Sequence, residues 1–198
     1  MQGGWLRVMT VQMIRKDVEP PVLADRGMLD GLQAARERMQ EAAGVALDSL
    51  DAQALTETIE QAAGLEAQAA AVKLAALAEA DRRRLAKELG ASGTDAWAAR
   101  LTGSTRGVMA GGLRLACLLQ DRYDATREAF AAGAINVDQA GVIVRAAERL
   151  PEWVTTEQRR DAEAGLVTEA AAGMDPGRLR RKPETSVPPA SALICRPE

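Results

Sequence analysis

The stretch from Asp51 to Leu89, which contains no proline and only one glycine, constrains the fold more than any other feature. Apolar residues recur along it at spacings near three, four or seven, the period of one helix face: Leu55, Ile59, Ala62, Ala69, Val72, Ala76, Ala80 and Leu89. A continuous helix of this length would span about 58 Å. The pattern predicts a helical hairpin arm or a dimerising rod, in which Gly64 is a weak point that need not break the helix.

Start and stop residues predict shorter helices on both sides of this run. A first helix is expected over Met28–Leu47, and Gly90 is expected to end the long helix. Six further helices are predicted, with these N-caps: Thr94 or Ser92, Ser104, Asp124, Asn136, Thr155 and Asp175. The helix after Ser104 should bury Val108, Leu113, Ala116 and Leu119, and Trp97 should be a buried anchor. Since no strand pattern occurs, the sequence predicts an all-α, multi-helix bundle.

The two ends of the chain differ from this helical pattern. Residues 1–27, closed by Pro20-Pro21, are expected to be a mobile leader, and residues 28–181 are expected to form the helical domain. From Lys182 the sequence "KPETSVPPASALICRPE" is proline-rich and has no period. Residues 182–198 are therefore predicted to be a disordered tail.

Composition excludes several classes of function. The chain has no histidine, which removes histidine-based triads, histidine zinc sites and histidine general bases. Its two cysteines, Cys117 and Cys195, are too few and too far apart for a metal motif. We expect no catalytic, metal-binding or cofactor-binding residue. Without a signal peptide or a membrane-length apolar run, the sequence predicts a cytoplasmic protein with no membrane partner.

The stretch "AFAAGAINVDQAGVIVRAAERLP", residues 129–151, has the spacing of a helix-turn-helix. As a DNA-reading motif its second helix would present Asp138, Gln139, Gly141 and Arg145, of which only Gln139 and Arg145 suit base or phosphate contact. A helix-turn-helix usually has a buried aliphatic where Gln139 stands. Helix stop and start signals explain the glycine and the asparagine equally well. The pattern favours a plain corner between two helices over a DNA reader.

The net charge of −3 gives no global attraction to nucleic acid, so any contact needs a local basic patch. "GRLRRK", residues 177–182, is the least neutralised patch, and Arg178, Arg180 and Arg181 with Arg145 are the candidate DNA contacts. The cluster at residues 82–84 is better explained as compensation of a helix dipole, and Arg159-Arg160 as part of a solvated face.

Four segments in order carry a family resemblance: "LEAQAAAVKLAALAEADRR", "GASGTDAWAARLTGSTRGVMAGGLRLACLL", "REAFAAGAINVDQAGVIVRAAERLP" and "DAEAGLVTEAAAGMDPGRLRR". Together they resemble domain-of-unknown-function family 222 (DUF222), the N-terminal helical region of actinobacterial HNH endonuclease-like proteins, also called the 13E12-repeat family. The resemblance covers roughly Met28 to Arg181. It implies an association with an HNH nuclease module whose histidines bind the metal and activate water.

This chain departs from the family pattern near Arg181, and no position matches the HNH motif. We therefore expect a non-enzymatic domain, as a frameshifted or prematurely ended copy or as a natural short paralogue, with an atypical leader before Met28. Its expected role is assembly or nucleic-acid engagement through the four arginines. The alternative is a structural or dimerisation module, in which the long helix pairs with a second copy and nucleic acid has no part.

Overall fold

A computed structural model describes residues 26–181, and the chain divides into two units at residues 51 and 52. In the first unit, helix α1 (Arg26–Ala43) is followed by a short 3-10 helix (Leu47–Ser49), and neither has a buried residue. Helix α1 ends four residues before the predicted Leu47, because Gly44 and the residues after it form a turn. Apart from Arg26 and Gly27, the predicted leader lies outside the described residues, as does the predicted tail.

The described part of the second unit contains eight helices: α2 (Ala52–Arg82), α3 (Leu85–Glu88), α4 (Thr94–Thr102), α5 (Arg106–Asp121), α6 (Asp124–Ala131), α7 (Val137–Glu148), α8 (Thr156–Ala171) and α9 (Pro176–Arg181). No strand occurs between residues 26 and 181. The all-α prediction is therefore confirmed.

Helix α2 contains 31 residues and runs through Gly64 without a break, which confirms the predicted long helix. It stops at Arg82, however, and the prediction of one helix to Leu89 was wrong. Arg84 has a φ of 57°, in the left-handed region, which ends α2 and turns the chain into the short helix α3. The Thr94 hydroxyl then donates a 2.6 Å hydrogen bond to the Asp81 carboxylate, which fixes α4 against the end of α2.

Helix α7 lies in the centre of the second unit. Its residues 139–144 are all buried, as is Ala147, and it packs against α2, α5, α6, α8 and α9. The other large core side chains come from the helices and turns around it: Leu74, Leu77, Met109, Leu119, Tyr123, Phe130, Ile135 and Leu179. Many of the remaining core positions are alanine, so the helices approach closely and each contact buries little area.

The side chain of Gln139 fixes the N-terminal end of α7. Its Oε1 accepts a 2.8 Å hydrogen bond from the Asn136 N–H and closes the predicted capping box. Its Nε2 donates to the carbonyl oxygens of Ala170 and Met174, at 3.1 and 2.9 Å. These carbonyls lie at the end of α8 and in the turn before α9. One buried amide therefore joins α7 to the two helices that follow it.

The C-terminal end of α7 is held by side chains from its neighbours. The Arg159 guanidinium of α8 donates to the Ala147 carbonyl, one of the last four of the helix. The Tyr123 hydroxyl donates to the Glu148 carboxylate, and Arg122 lies 3.3 Å from the same carboxylate oxygen. Burial, and then this hydrogen bond, hold the pKa of Tyr123 well above its usual range, so the hydroxyl stays a donor.

Gly133 follows the end of α6, in the turn that leads to α7, and also lies against α2. Its φ of 77° is left-handed, as the predicted helix stop requires. A Cβ at this position would lie only 2.7 Å from the Gly64 carbonyl oxygen of α2. The Gln68 amide of α2 also donates to the Ala132 carbonyl at 3.2 Å. The turn therefore rests directly on the backbone of the long helix.

Local capping rules were right for some helices and wrong for others. The capping boxes at Asn136 and Thr155 are present, and Asp175 accepts from the N–H groups of residues 177 and 178. Helix α5 is capped by Thr105 and not by the predicted Ser104. Helices α4 and α6 have no side-chain cap from their N-cap residues, Gly93 and Tyr123.

A distant carboxylate explains the missing cap of α6. Glu163 of α8 is 3% exposed and accepts hydrogen bonds from the Thr126 N–H and hydroxyl, at 2.8 and 2.7 Å. The expected cap, Asp124, instead lies 2.7 Å from Arg127. Local sequence could not reveal this, because the capping group lies 37 residues away.

The predicted inner faces need two corrections. Ala116 and Leu119 of α5 are buried, but Val108 is 60% exposed and its neighbour Met109 takes the buried place. Trp97 is half-buried and packs against the core, so it is only partly the anchor that was predicted.

Replacement of Gln139 by leucine should lower the free energy of unfolding by about 2–4 kcal/mol. The Asn136 N–H and the Met174 carbonyl lose their side-chain partner, and the Ala170 carbonyl keeps only its backbone partner, the Gly173 N–H. Gln158→Leu is the matched control, since Gln158 also closes a capping box but bonds no other described residue. It should cost about 1 kcal/mol. Equal losses for the two variants in urea unfolding would contradict the role given to the Gln139 amide.

Gly133→Ala should lower the free energy of unfolding by about 2 kcal/mol or more, from the left-handed backbone and from the contact with α2. Gly64→Ala should be neutral or stabilising by up to about 1 kcal/mol. A Cβ at residue 64 would lie 3.7 Å from the Gly133 carbonyl oxygen, an ordinary contact distance. Thermal unfolding of both variants tests this asymmetry, and a destabilised Gly64→Ala would refute it.

Candidate nucleic-acid interface

An open groove of about 510 Å³ lies among α2, α5 and α7. Its lining from α2 includes Ala70 and Lys73, and its lining from α7 includes Val137, Asp138 and Arg145. The stretch from Gly107 to Leu118 of α5 supplies most of the remaining residues. Three helices that are separate in sequence therefore meet at one concave surface.

Three cationic side chains line the groove, one from each helix: Lys73, Arg114 and Arg145. All three are exposed, and none forms an ion pair with a residue in the described range 26–181. Asp138 is the one carboxylate among the lining residues. The groove is therefore locally basic on a chain whose net charge is −3.

The Arg145 side chain folds back along its own helix. A Cβ at residue 141 would lie 3.3 Å from its Nη1, so the guanidinium lies over Gly141. The absence of a side chain at residue 141 leaves room for this conformation. Gly141 is consequently buried and is not the outward-facing position that a DNA-reading helix would require.

Apolar surface lies between the charged groups of the groove. Val108 and Val137 are 60% and 40% exposed, and Leu115 and Leu118 are half-buried beside them. Two adjacent glycines of α5, Gly111 and Gly112, have different surroundings. A Cβ on Gly112 would lie 3.1 Å from Leu74, which marks a close approach to α2, whereas one on Gly111 would meet nothing within 4 Å.

The four predicted contact residues fall in two places. Arg145 lines the groove, whereas Arg178, Arg180 and Arg181 lie on α9, which contributes no residue to the groove lining. The three α9 arginines are exposed and form no ion pair with residues 26–181. Helix α9 is held by Leu179, which is 2% exposed, and packs against α7 and α8.

Burial excludes a DNA-reading role for the second helix of the opening motif. Because residues 139–144 are buried without interruption, α7 cannot enter a DNA groove. Gln139, which would have faced DNA in that interpretation, is 8% exposed, and its side chain is engaged inside the protein. The plain helical corner is the correct interpretation of residues 129–151.

The other basic clusters are used within the fold. Arg82 and Arg83 both donate to the Glu79 carboxylate, and these hydrogen bonds lower the pKa of Glu79 to about 2. Arg84 carries the left-handed turn, and Arg159 binds the end of α7. Of these four, Arg82 and Arg83 are paired with a carboxylate, whereas the arginines of the groove and of α9 have no described carboxylate partner.

Other site chemistries find little support in the described part of the chain. Residues 26–181 contain no group of three carboxylates or cysteines that could hold a metal ion. Cys117 is half-buried, and burial raises the pKa of its thiol, whereas Cys195 lies outside the described residues. Between residues 26 and 181, no helix has the length and apolar character needed to span a bilayer.

Sequence reasoning missed Lys73 and Arg114, which complete the cationic set around Arg145. Each is a single cation within an alanine-rich or leucine-rich stretch, so no charge run marks it. Only the packing of α2 and α5 against α7 brings them to the same groove.

Comparison with known proteins identifies the family. No curated protein and no solved structure matches the chain. One family model, described as a domain of unknown function (DUF222), matches residues 56–187. The match covers more than half of the sequence and, within residues 52–181, all eight helices except the first turn of α2. The chain therefore belongs to the DUF222 family.

Proposed function

We propose that this domain is a non-catalytic helical module that contacts the phosphate backbone of nucleic acid. The observation that carries the proposal is the groove, in which Lys73, Arg114 and Arg145 present positive charge with no described carboxylate partner. A cation without a partner can neutralise a phosphate and so displace a counterion from the nucleic acid, which favours binding. A cation already paired with a carboxylate contributes less. The arginines of α9 form a second contact surface.

A local basic surface on an acidic chain favours a limited interface. With a net charge of −3, the chain as a whole does not attract a polyanion. Contacts to phosphate position a protein on nucleic acid without reading its sequence. We therefore assign the domain a sequence-independent, salt-sensitive contribution to binding.

The absence of catalysis is part of the proposal. The chain has no histidine, and an HNH nuclease needs histidines to bind its metal and activate water. The domain would act as an accessory to a nuclease module of an HNH endonuclease-like protein, holding the nucleic acid while the module cuts it. Divalent-dependent cleavage of DNA by the purified chain would refute this part.

Binding of a fluorescent oligonucleotide should weaken steeply as salt rises from 50 to 200 mM. Each cation removed in the variants K73A, R114A and R145A should reduce the slope of log K against log salt by about one. The variant R178A/R180A/R181A tests the α9 surface by the same measure. No binding at low salt, or unchanged slopes in all of these variants, would refute the proposal.

Arg82 and Arg83 provide a charge-matched control, because both are already paired with Glu79. The variant R82A/R83A removes two positive charges, as R114A/R145A does. It should leave the salt slope close to that of the unmodified protein. If both pairs weaken binding equally, the effect is one of net charge and not of the groove.

Asp138→Asn should strengthen binding, because it removes the one carboxylate that lines the groove. An increase of about three- to tenfold in affinity at low salt corresponds to a gain of about 1 kcal/mol. Asp161→Asn, at an exposed position of α8, makes the same change of net charge outside the groove. Equal effects of the two variants would contradict a local contact.

The alternative function, dimerisation through α2, is favoured by a different observation. No residue between 52 and 66 is buried, and Leu55 and Ile59 are 39% and 70% exposed there. A helix paired with a second copy would cover such side chains. Light scattering tests this function, and a monomer at all concentrations would count against it.

A further inference from the structure

We propose that the groove among α2, α5 and α7 takes a single strand of nucleic acid and does not admit a duplex. This inference rests on the proposed function and specifies its ligand. A volume of about 510 Å³ is that of a pocket for a ligand of limited size. A duplex is a stiff rod with a persistence length of about 150 base pairs, so it cannot bend locally into such a concavity. A single strand is flexible and can bend into the groove.

The positions of the cations support a strand that enters the groove. Lys73, Arg114 and Arg145 come from three different helices, so positive charge lies on each wall and not on one flat surface. A single strand exposes its phosphates in every direction and can meet all three walls. A duplex lying across the opening of the groove would contact only its edge.

The apolar lining gives the groove a second kind of contact. Val108, Val137, Leu115 and Leu118 lie among the cations, and the first two are substantially exposed. In a duplex the faces of the bases are stacked on one another, whereas in a single strand they are available to apolar side chains. Of the sixteen described residues that line the groove, none is aromatic. Base contacts should therefore be weak and nearly independent of sequence.

Two exposed glycines that line the groove have open space beside them. A Cβ on Gly107 or on Gly111 would meet nothing within 4 Å. Both glycines lie within α5, where glycine lowers helix propensity. A larger side chain at residue 111 would take up part of this space, and its Cβ would meet no neighbouring atom within 4 Å.

Gly111→Leu is the decisive variant, because it blocks the space and leaves every charge in place. It should reduce the affinity for a 12-nucleotide single strand by about tenfold or more. Gly165→Leu is the matched control, since Gly165 is an exposed glycine of α8 with equally open surroundings outside the groove. Circular dichroism should show unchanged or increased helix content in both variants.

The same titrations compare the single strand with a 12-base-pair duplex and with a mononucleotide, using the full chain. We expect the single strand to bind most tightly, by about tenfold over the duplex, and the mononucleotide to bind most weakly. Equal affinity for strand and duplex, or normal strand binding by Gly111→Leu, overturns this inference. If charge variants still weaken duplex binding, the proposed function survives that result. If the unmodified chain binds none of these nucleic acids, both the proposed function and this inference are wrong.

Discussion

The position of α7 depends on the three hydrogen bonds of one buried amide, and helices α2, α5, α6, α8 and α9 pack against that helix. Gln139 satisfies the Asn136 N–H at the start of α7 and the carbonyls of Ala170 and Met174. The cost of burying an amide is offset only when its polar atoms find partners, and here each does. Because α7 also forms one wall of the groove, the geometry of the candidate site follows from this internal contact.

The sequence was sufficient for the parts of the fold that depend on local chemistry. Helix period and the absence of proline predicted α2, and the capping boxes at Asn136 and Thr155 placed the starts of α7 and α8. It failed where a distant group replaced a local one, as Glu163 does at α6, and where Arg84 adopts a left-handed conformation that its type does not favour. Of the groove, only Arg145 was predicted. Lys73 and Arg114 join it through tertiary packing, which no local pattern encodes.

Two groups of arginines differ in whether a carboxylate of the fold pairs with them. At residues 82 and 83, the Glu79 carboxylate lies one turn earlier on the same helix and takes up both charges. On α5 and α7 no described carboxylate does so for Arg114 or Arg145, and on α9 none does so for its three arginines. The net charge of the chain conceals this difference, since it counts paired and unpaired cations alike. Partner preference in such a domain is set by which cations the fold leaves unpaired.

The alanines at the helix contacts have a consequence for the direction in which the core can change. Ala86, Ala98, Ala116, Ala140, Ala147 and Ala170 are each no more than 4% exposed. An alanine side chain is a single methyl group, so shortening the side chain at these positions can remove almost no buried surface. Any larger side chain must instead push two helices apart. At these alanine contacts the core can therefore be damaged by larger side chains and hardly by smaller ones.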